Sequence, residues 1–192
     1  MADAAYHSTR FVLDDTPEAT LARPLIVWLA VAAATIVCVG LIFLAPLATS
    51  HGHQFIGLAL YRGFSFACHQ IPARSFYVEG YSLAVCARCA GLYIGFTAGV
   101  LLYPFIRGLK RTVAPPPRVW LIAAMMPLAF DWTLGFFGIW PNTHLSRFAT
   151  GALPGTVAAF YALPGLLELS HTSLRGLFTQ SILSKESVNY ER

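Results

Sequence analysis

The sequence predicts an all-α polytopic membrane protein: a bundle of four transmembrane helices with one further interfacial or re-entrant segment. Two observations carry that prediction. The 192 residues are 56% hydrophobic and 11% charged, with a mean hydropathy of +0.60, whereas a soluble domain is about 25% charged. A chain this short of charge has a surface that faces lipid rather than water. Four stretches also approach or exceed the ~20 apolar residues a helix needs to cross a bilayer. The net charge of +4 is modest and no Lys/Arg run tracks a phosphate backbone, which excludes nucleic acid as a partner.

The first 23 residues are polar and carry Asp3, Asp14, Asp15 and Glu18. They lack the basic start and short apolar core of a secretory signal and read as a cytoplasmic tail. The first span is 24–46, with Pro24 at a helix start and Pro46 as a stop. Residues 47–85 form a loop, within which FIGLALYRGFSFA (55–67) is apolar but too short to cross and reads as the interfacial or re-entrant segment. The remaining spans are 86–106, 118–139 and 146–168. Pro115-Pro116-Pro117 separates the second from the third, and 169–192 is a polar tail, expected to be ordered only in part. Trp28, Tyr103, Trp120 and Trp140 lie near span ends, where amphipathic rings favour the membrane interface. The bundle is therefore 24–168.

Arg107, Lys110, Arg111 and Arg118 cluster between spans two and three. The positive-inside rule puts that loop, and with four spans both termini, in the cytoplasm of a prokaryotic inner membrane. Loop 47–85 is then outside. Both lysines fall inside, and the outer cations are Arg62, Arg74, Arg88 and Arg147. Arginine is the residue for bidentate carboxylate or phosphate contacts. Interface anchoring accounts for Arg62; Arg74, Arg88 and Arg147 read as a paired or functional set.

The reactive groups collect in FACHQIPARSFYVEGYSLAVCARCAGLYIG (66–95). Cys86 and Cys89 share a face at a helix start, where the helix dipole favours a thiolate. With Cys68 they offer three sulfur ligands. Structural zinc wants four N/S donors, and His69, His51, His53 and His144 are the candidates for the fourth. The leading ligand set is Cys68, His69, Cys86 and Cys89, with zinc preferred to iron. A competing reading is thiol–disulfide exchange at Cys86/Cys89 with Cys68 as resolving partner. A third is a plain Cys86–Cys89 or Cys68–Cys89 disulfide stapling loop to helix. Cys38, in mid-span, reads as a packing residue.

Gly91, Gly95 and Gly99 repeat every four residues and let another helix approach closely. Gly151 and Gly155 in TGALPG are the candidate partner. At 100° per residue Arg88 falls on the glycine side, with Cys86 and Cys89 nearly opposite. Asp131 is the one acid well inside a span. Intramembrane acids are costly and often functional, and Asp131 is placed to meet Arg147 or Arg88. An anion or proton site and a register-fixing ion pair stand side by side as readings.

The pattern Cys68-His69-Gln70, Pro72, Arg74-Ser75-Phe76, Gly80, Cys86, Arg88-Cys89, Gly91, Tyr93, Gly95 resembles the signature of an uncharacterised prokaryotic membrane-protein family, a domain of unknown function. Pro127, Asp131, Arg147, Thr150-Gly151 and Gly155 extend the resemblance, so that it covers roughly 60–168. Trp132 stands where that family usually has glycine, and Leu134 where a Gln is common. The resemblance implies a multi-span bundle and this polar constellation, and brings no agreed activity.

The expected function is an integral membrane protein with a zinc-like Cys/His site at its outer face. It would bind an anionic lipid or a partner subunit through Arg74, Arg88, Asp131 and Arg147. A membrane thiol oxidoreductase and an accessory subunit of a bioenergetic or transport complex are the alternatives. No nucleotide loop, Ser–His–Asp pattern or haem-attachment CxxCH is present, and no reaction is assigned.

Overall fold

A computed structural model describes residues 17–109 and 115–190, with side chains over 24–109 and 115–168. Among the described residues the fold is all-α apart from one short hairpin. Helix α1 is Pro17–Ser50 and α2 is Gln54–Ser65. A 3-10 turn at Pro72–Arg74 leads to β1 (Tyr77–Val78) and β2 (Tyr81–Ser82), followed by α3 (Ala87–Ile106), α4 (Val119–Phe136) and α5 (His144–Tyr190). Among the described residues four segments are long and apolar enough to cross a membrane: Pro24–Ser50, Ala87–Ile106, Val119–Phe136 and His144–Glu168. They overlap the four expected spans.

Helix ends differ from expectation in physically readable ways. Pro46 does not stop α1, which continues to Ser50. Nor does Pro24 start it, because Pro17 takes the first helical position, where its missing N–H costs nothing. In an apolar setting a broken helix exposes more unsatisfied backbone than one proline does, so prolines are tolerated inside spans. Pro104, Pro127, Pro154 and Pro164 are likewise internal. Thr49 and Ser50 return hydroxyl bonds to the Ala45 and Leu47 carbonyls around Pro46. The C-terminal tail, expected to be ordered only in part, is helical as far as Tyr190.

The core is the seam between α3 and α5. A Cβ on Gly91 would lie 2.1 Å from the Phe148 carbonyl oxygen, and one on Gly95 2.2 Å from that of Ala152. In return, a Cβ on Gly151 would lie 2.2 Å from the Arg88 carbonyl oxygen, and one on Gly155 2.3 Å from that of Leu92. Both glycine pairs therefore let backbone touch backbone, and Thr156 Oγ1 donates across the seam to the Gly95 carbonyl at 3.0 Å. Helix α1 lies against this pair, with Trp28 Nε1 donating to the Val100 carbonyl at 2.8 Å. Ala32, Val100, Tyr103, Ala159 and Leu163 are buried between the three helices.

At the other end of the bundle, loop 47–85 is strapped down rather than free. Gly57 on α2 packs onto Thr49 and the Ala45 carbonyl of α1. The hairpin turns on Glu79-Gly80, both at positive φ (49° and 83°), the backbone of a two-residue type I′ turn. Ser50 of α1 donates to the Glu79 carboxylate, and Tyr61 of α2 donates to the Ser82 carbonyl.

Candidate functional site

Cys68 follows the end of α2, and Cys86 and Cys89 flank the start of α3. Their sulfurs lie within 4.8 Å of one another, and no disulfide joins any of the four cysteines. The edge of a zinc tetrahedron built on ≈ 2.3 Å Zn–S bonds is about 3.8 Å, so the three sulfurs are gathered at close to ligand spacing. Backbone donors fix the inner corner. Cys68 is buried, and its sulfur accepts the Cys86 N–H at 3.2 Å and the Gln70 N–H at 3.5 Å. These two contacts hold the Cys68 sulfur in place against the start of α3.

Gln70 makes this corner possible. Its backbone has a φ of 50°, reversing the chain just past Cys68. Its side-chain amide donates to the Tyr61 and Ala84 carbonyls, both at 2.7 Å. It thereby clamps the end of α2 to the segment entering α3. Cys86 caps α3 in extended conformation. A hydrogen bond from the Cys89 thiol, aided by the Cys89 and Arg88 amides and the Cys68 thiol, outweighs desolvation and lowers its pKa to about 5.

None of the candidate histidines joins the sulfur group among the described residues. The reversal at Gln70 leaves His69 exposed. His51 Nδ1 donates to the Leu47 carbonyl and lies within hydrogen-bond distance of the Ser50 hydroxyl, His53 precedes α2, and His144 lies against Phe76 with ring centroids 5.8 Å apart. Cys38 is half-buried on α1 and outside the group.

Beside the sulfurs is a cavity of about 220 Å³, walled by Cys86 and Cys89 and by Arg74, Arg88 and Arg147. Asp131 of α4 pairs with Arg88. Of the two partners expected for this acid, Arg88 is the one it meets. Asn142 donates to the Asp131 backbone carbonyl and fills the space above Gly135, which a Cβ would contest at 1.8 Å. Gly135, Asn142, Trp132 and Phe136 complete the wall. Sequence reasoning picks out the cysteines and arginines, meets Gln70 only as part of the family signature without a role, and passes over Gly135 and Asn142. Polar and glycine residues in an otherwise apolar 119–142 stretch are the available signal.

The fold and this recess define a small helical polytopic membrane protein with thiols and guanidiniums gathered at one end of its bundle. The chain belongs to the prokaryotic family described as "Predicted membrane protein (DUF2085)", which residues 68–161 match. It is 39% identical over 139 residues to an uncharacterized protein of Methanocaldococcus jannaschii, covering 70% of this chain and 88% of that one. An uncharacterized protein of Methanothermobacter thermautotrophicus is 33% identical over 93 residues, covering 48% of this chain and 80% of its own length. No solved structure matches.

Proposed function

We propose that this integral membrane protein holds a zinc-like ion on Cys68, Cys86 and Cys89, and that the ion fastens loop 47–85 to α3. The gathering of three sulfurs within 4.8 Å carries this reading. The cap position of Cys86, where a helix N-terminus favours a thiolate, supports it. No protein nitrogen joins the group among the described residues, so water, an exogenous donor or a re-aimed His69 supplies the fourth position. The basic 107–118 loop supports an orientation with the cysteine end outside and both termini in the cytoplasm. The arginine-walled cavity next to the sulfurs suits an anionic partner, whether a lipid or a subunit.

Elemental analysis and native thiol titration on one detergent-purified preparation test the metal. The expected result is about one zinc per chain, with Cys38 the thiol that still reacts, and loss of zinc in Cys86→Ser. Four reactive thiols and no metal would overturn the reading. The lowered pKa of Cys86 beside Cys89 favours one alternative, a dithiol oxidoreductase. That alternative requires a metal-free protein whose Cys86–Cys89 disulfide cycles with a dithiol reagent and a quinone.

A further inference from the structure

Three guanidiniums, from Arg74, Arg88 and Arg147, reach one cavity from three separate elements: the 3-10 turn, α3 and α5. Among the described residues one carboxylate, Asp131, answers them, and its ion pair is with Arg88. Among the described residues no carboxylate pairs with Arg74 or Arg147. The Nε atoms of Arg88 and Arg147 are both buried without a hydrogen-bond partner. A buried donor left without a partner is costly, and more so when its group is charged. Arg74 and Arg88 also repel Arg147, while Asp131 attracts it without forming an ion pair with it. A protein has little reason to gather such groups at the end of a membrane bundle unless an acceptor arrives to satisfy them.

We propose that this cavity binds a phosphoryl oxyanion, held by Arg74, Arg88 and Arg147. The inference rests on the anion part of the function proposed above and not on the metal. Chemistry selects the phosphoryl group. A carboxylate has two oxygens and satisfies one bidentate guanidinium fork, whereas a phosphate monoester offers three peripheral oxygens and up to two charges to three forks. The volume permits it: about 220 Å³ exceeds the ~150 Å³ in which an engineered cavity takes up benzene. Trp132 and Phe136, 54% and 69% exposed, stack on one another at the rim that α4 gives the cavity. The phosphoryl group therefore has two available sources, a lipid headgroup entering past this rim and free phosphate entering from the aqueous side.

The full chain in mild detergent is melted with inorganic phosphate or with acetate, and reconstituted in phosphatidylcholine nanodiscs with and without phosphatidate. Phosphate at about ten times its Kd is expected to raise Tm by about 3–5 °C, and acetate at the same concentration to leave it unchanged. Arg74→Gln and Arg147→Gln, neither of which breaks the Arg88–Asp131 pair, are expected to abolish the shift while retaining the unliganded Tm and the zinc content. Phosphatidate retained by native mass spectrometry and displacing phosphate identifies a lipid source; phosphate binding without phosphatidate retention identifies the free anion. Either result supports the site. Equal shifts from acetate and phosphate overturn the phosphoryl assignment and leave the anion reading standing. A shift that persists in the Gln variants, or no response to phosphate or phosphatidate, overturns the site altogether. Zinc content is read separately, so failure of the metal reading shows on a different axis.

Discussion

Helices α3 and α5 meet backbone to backbone along their length, whereas α4 reaches the same end of the bundle mainly through polar side chains. In the most apolar window of α3 and of the α5 span, 33% and 39% of residues are buried; in α4 the figure is 6%. The seam fixes where Arg88 and Arg147 stand, because Gly151 sits under the Arg88 carbonyl and Gly91 under that of Phe148, the residue after Arg147. Helix α4 supplies the countercharge, Asp131, and part of the cavity wall, and little packing. The contrast separates two jobs in one small bundle. Substitutions in the seam should change stability, and substitutions on α4 should change the charge and shape of the site.

The largest effect is expected at the seam. In Gly95→Ala the new methyl meets the Ala152 carbonyl oxygen at 2.2 Å, and neither helix backbone yields cheaply. Overpacking of this kind costs about 3 kcal/mol. Thermal melting in mild detergent should show it as a lowered Tm with no change in zinc per folded chain. A native Tm for this variant would mean that the seam is looser than the contact implies.

Next comes the link between the two regions. Arg88→Ala removes the partner of Asp131 and leaves a mostly enclosed carboxylate. Breaking a buried pair costs about 3–5 kcal/mol; the 24% exposure of the Arg88 side chain brings the expectation to about 2 kcal/mol. Adding Asp131→Asn should recover part of the loss, because the unpaired charge disappears with it. A double variant as unstable as Arg88→Ala alone would show that packing, and not charge, is what Arg88 contributes.

The seam was legible in the sequence and the site only in part, for physical reasons. Small residues four apart fall on one helix face whatever surrounds them, so Gly91, Gly95, Gly99, Gly151 and Gly155 announce a close approach before any partner is known. Cys86 and Cys89 are likewise local, three residues apart at a helix start. The prolines misled because stop rules come from helices in water: Pro24 and Pro46 lie inside α1, where a free helix end would have cost more than a missing hydrogen bond. Gln70 stood in the family signature without a role, because that role lies in two carbonyls, Tyr61 and Ala84, distant in sequence. His69 looked like a ligand because it adjoins Cys68, yet the backbone reversal next to it leaves it exposed. Asn142 and Gly135 form a complementary pair across a turn, and neither carries the signal alone.

A smaller effect tests whether α4 shapes the cavity. Gly135→Ala places a methyl 1.8 Å from Asn142 Oδ1. That atom ends a flexible side chain, so Asn142 can swing away from the Asp131 carbonyl at a cost of about 1 kcal/mol, one ordinary hydrogen bond. Stability should barely move while phosphate affinity falls, since Asn142 forms part of the wall. Unchanged affinity would place the ligand elsewhere in the recess.

The smallest expected change has the opposite sign and serves as the control for the seam. Gly40 lies on α1 with nothing within 4 Å of the position a Cβ would take, as does Gly63 on α2. Neither carries a positive φ, so both hold ordinary helical backbone. Replacing such a glycine with alanine removes backbone freedom from the unfolded chain and stabilises a helix by up to about 1 kcal/mol. Gly40→Ala should therefore raise Tm slightly, by the same substitution that at Gly95 lowers it. The divergence isolates contact from conformation: both sites are helical glycines in apolar segments, and they differ in whether another backbone lies against them. If Gly40→Ala proved as damaging as Gly95→Ala, α1 would have to carry a close contact with another chain on its open face, and native mass spectrometry of the two variants would show it as a lost oligomer in the first and not in the second.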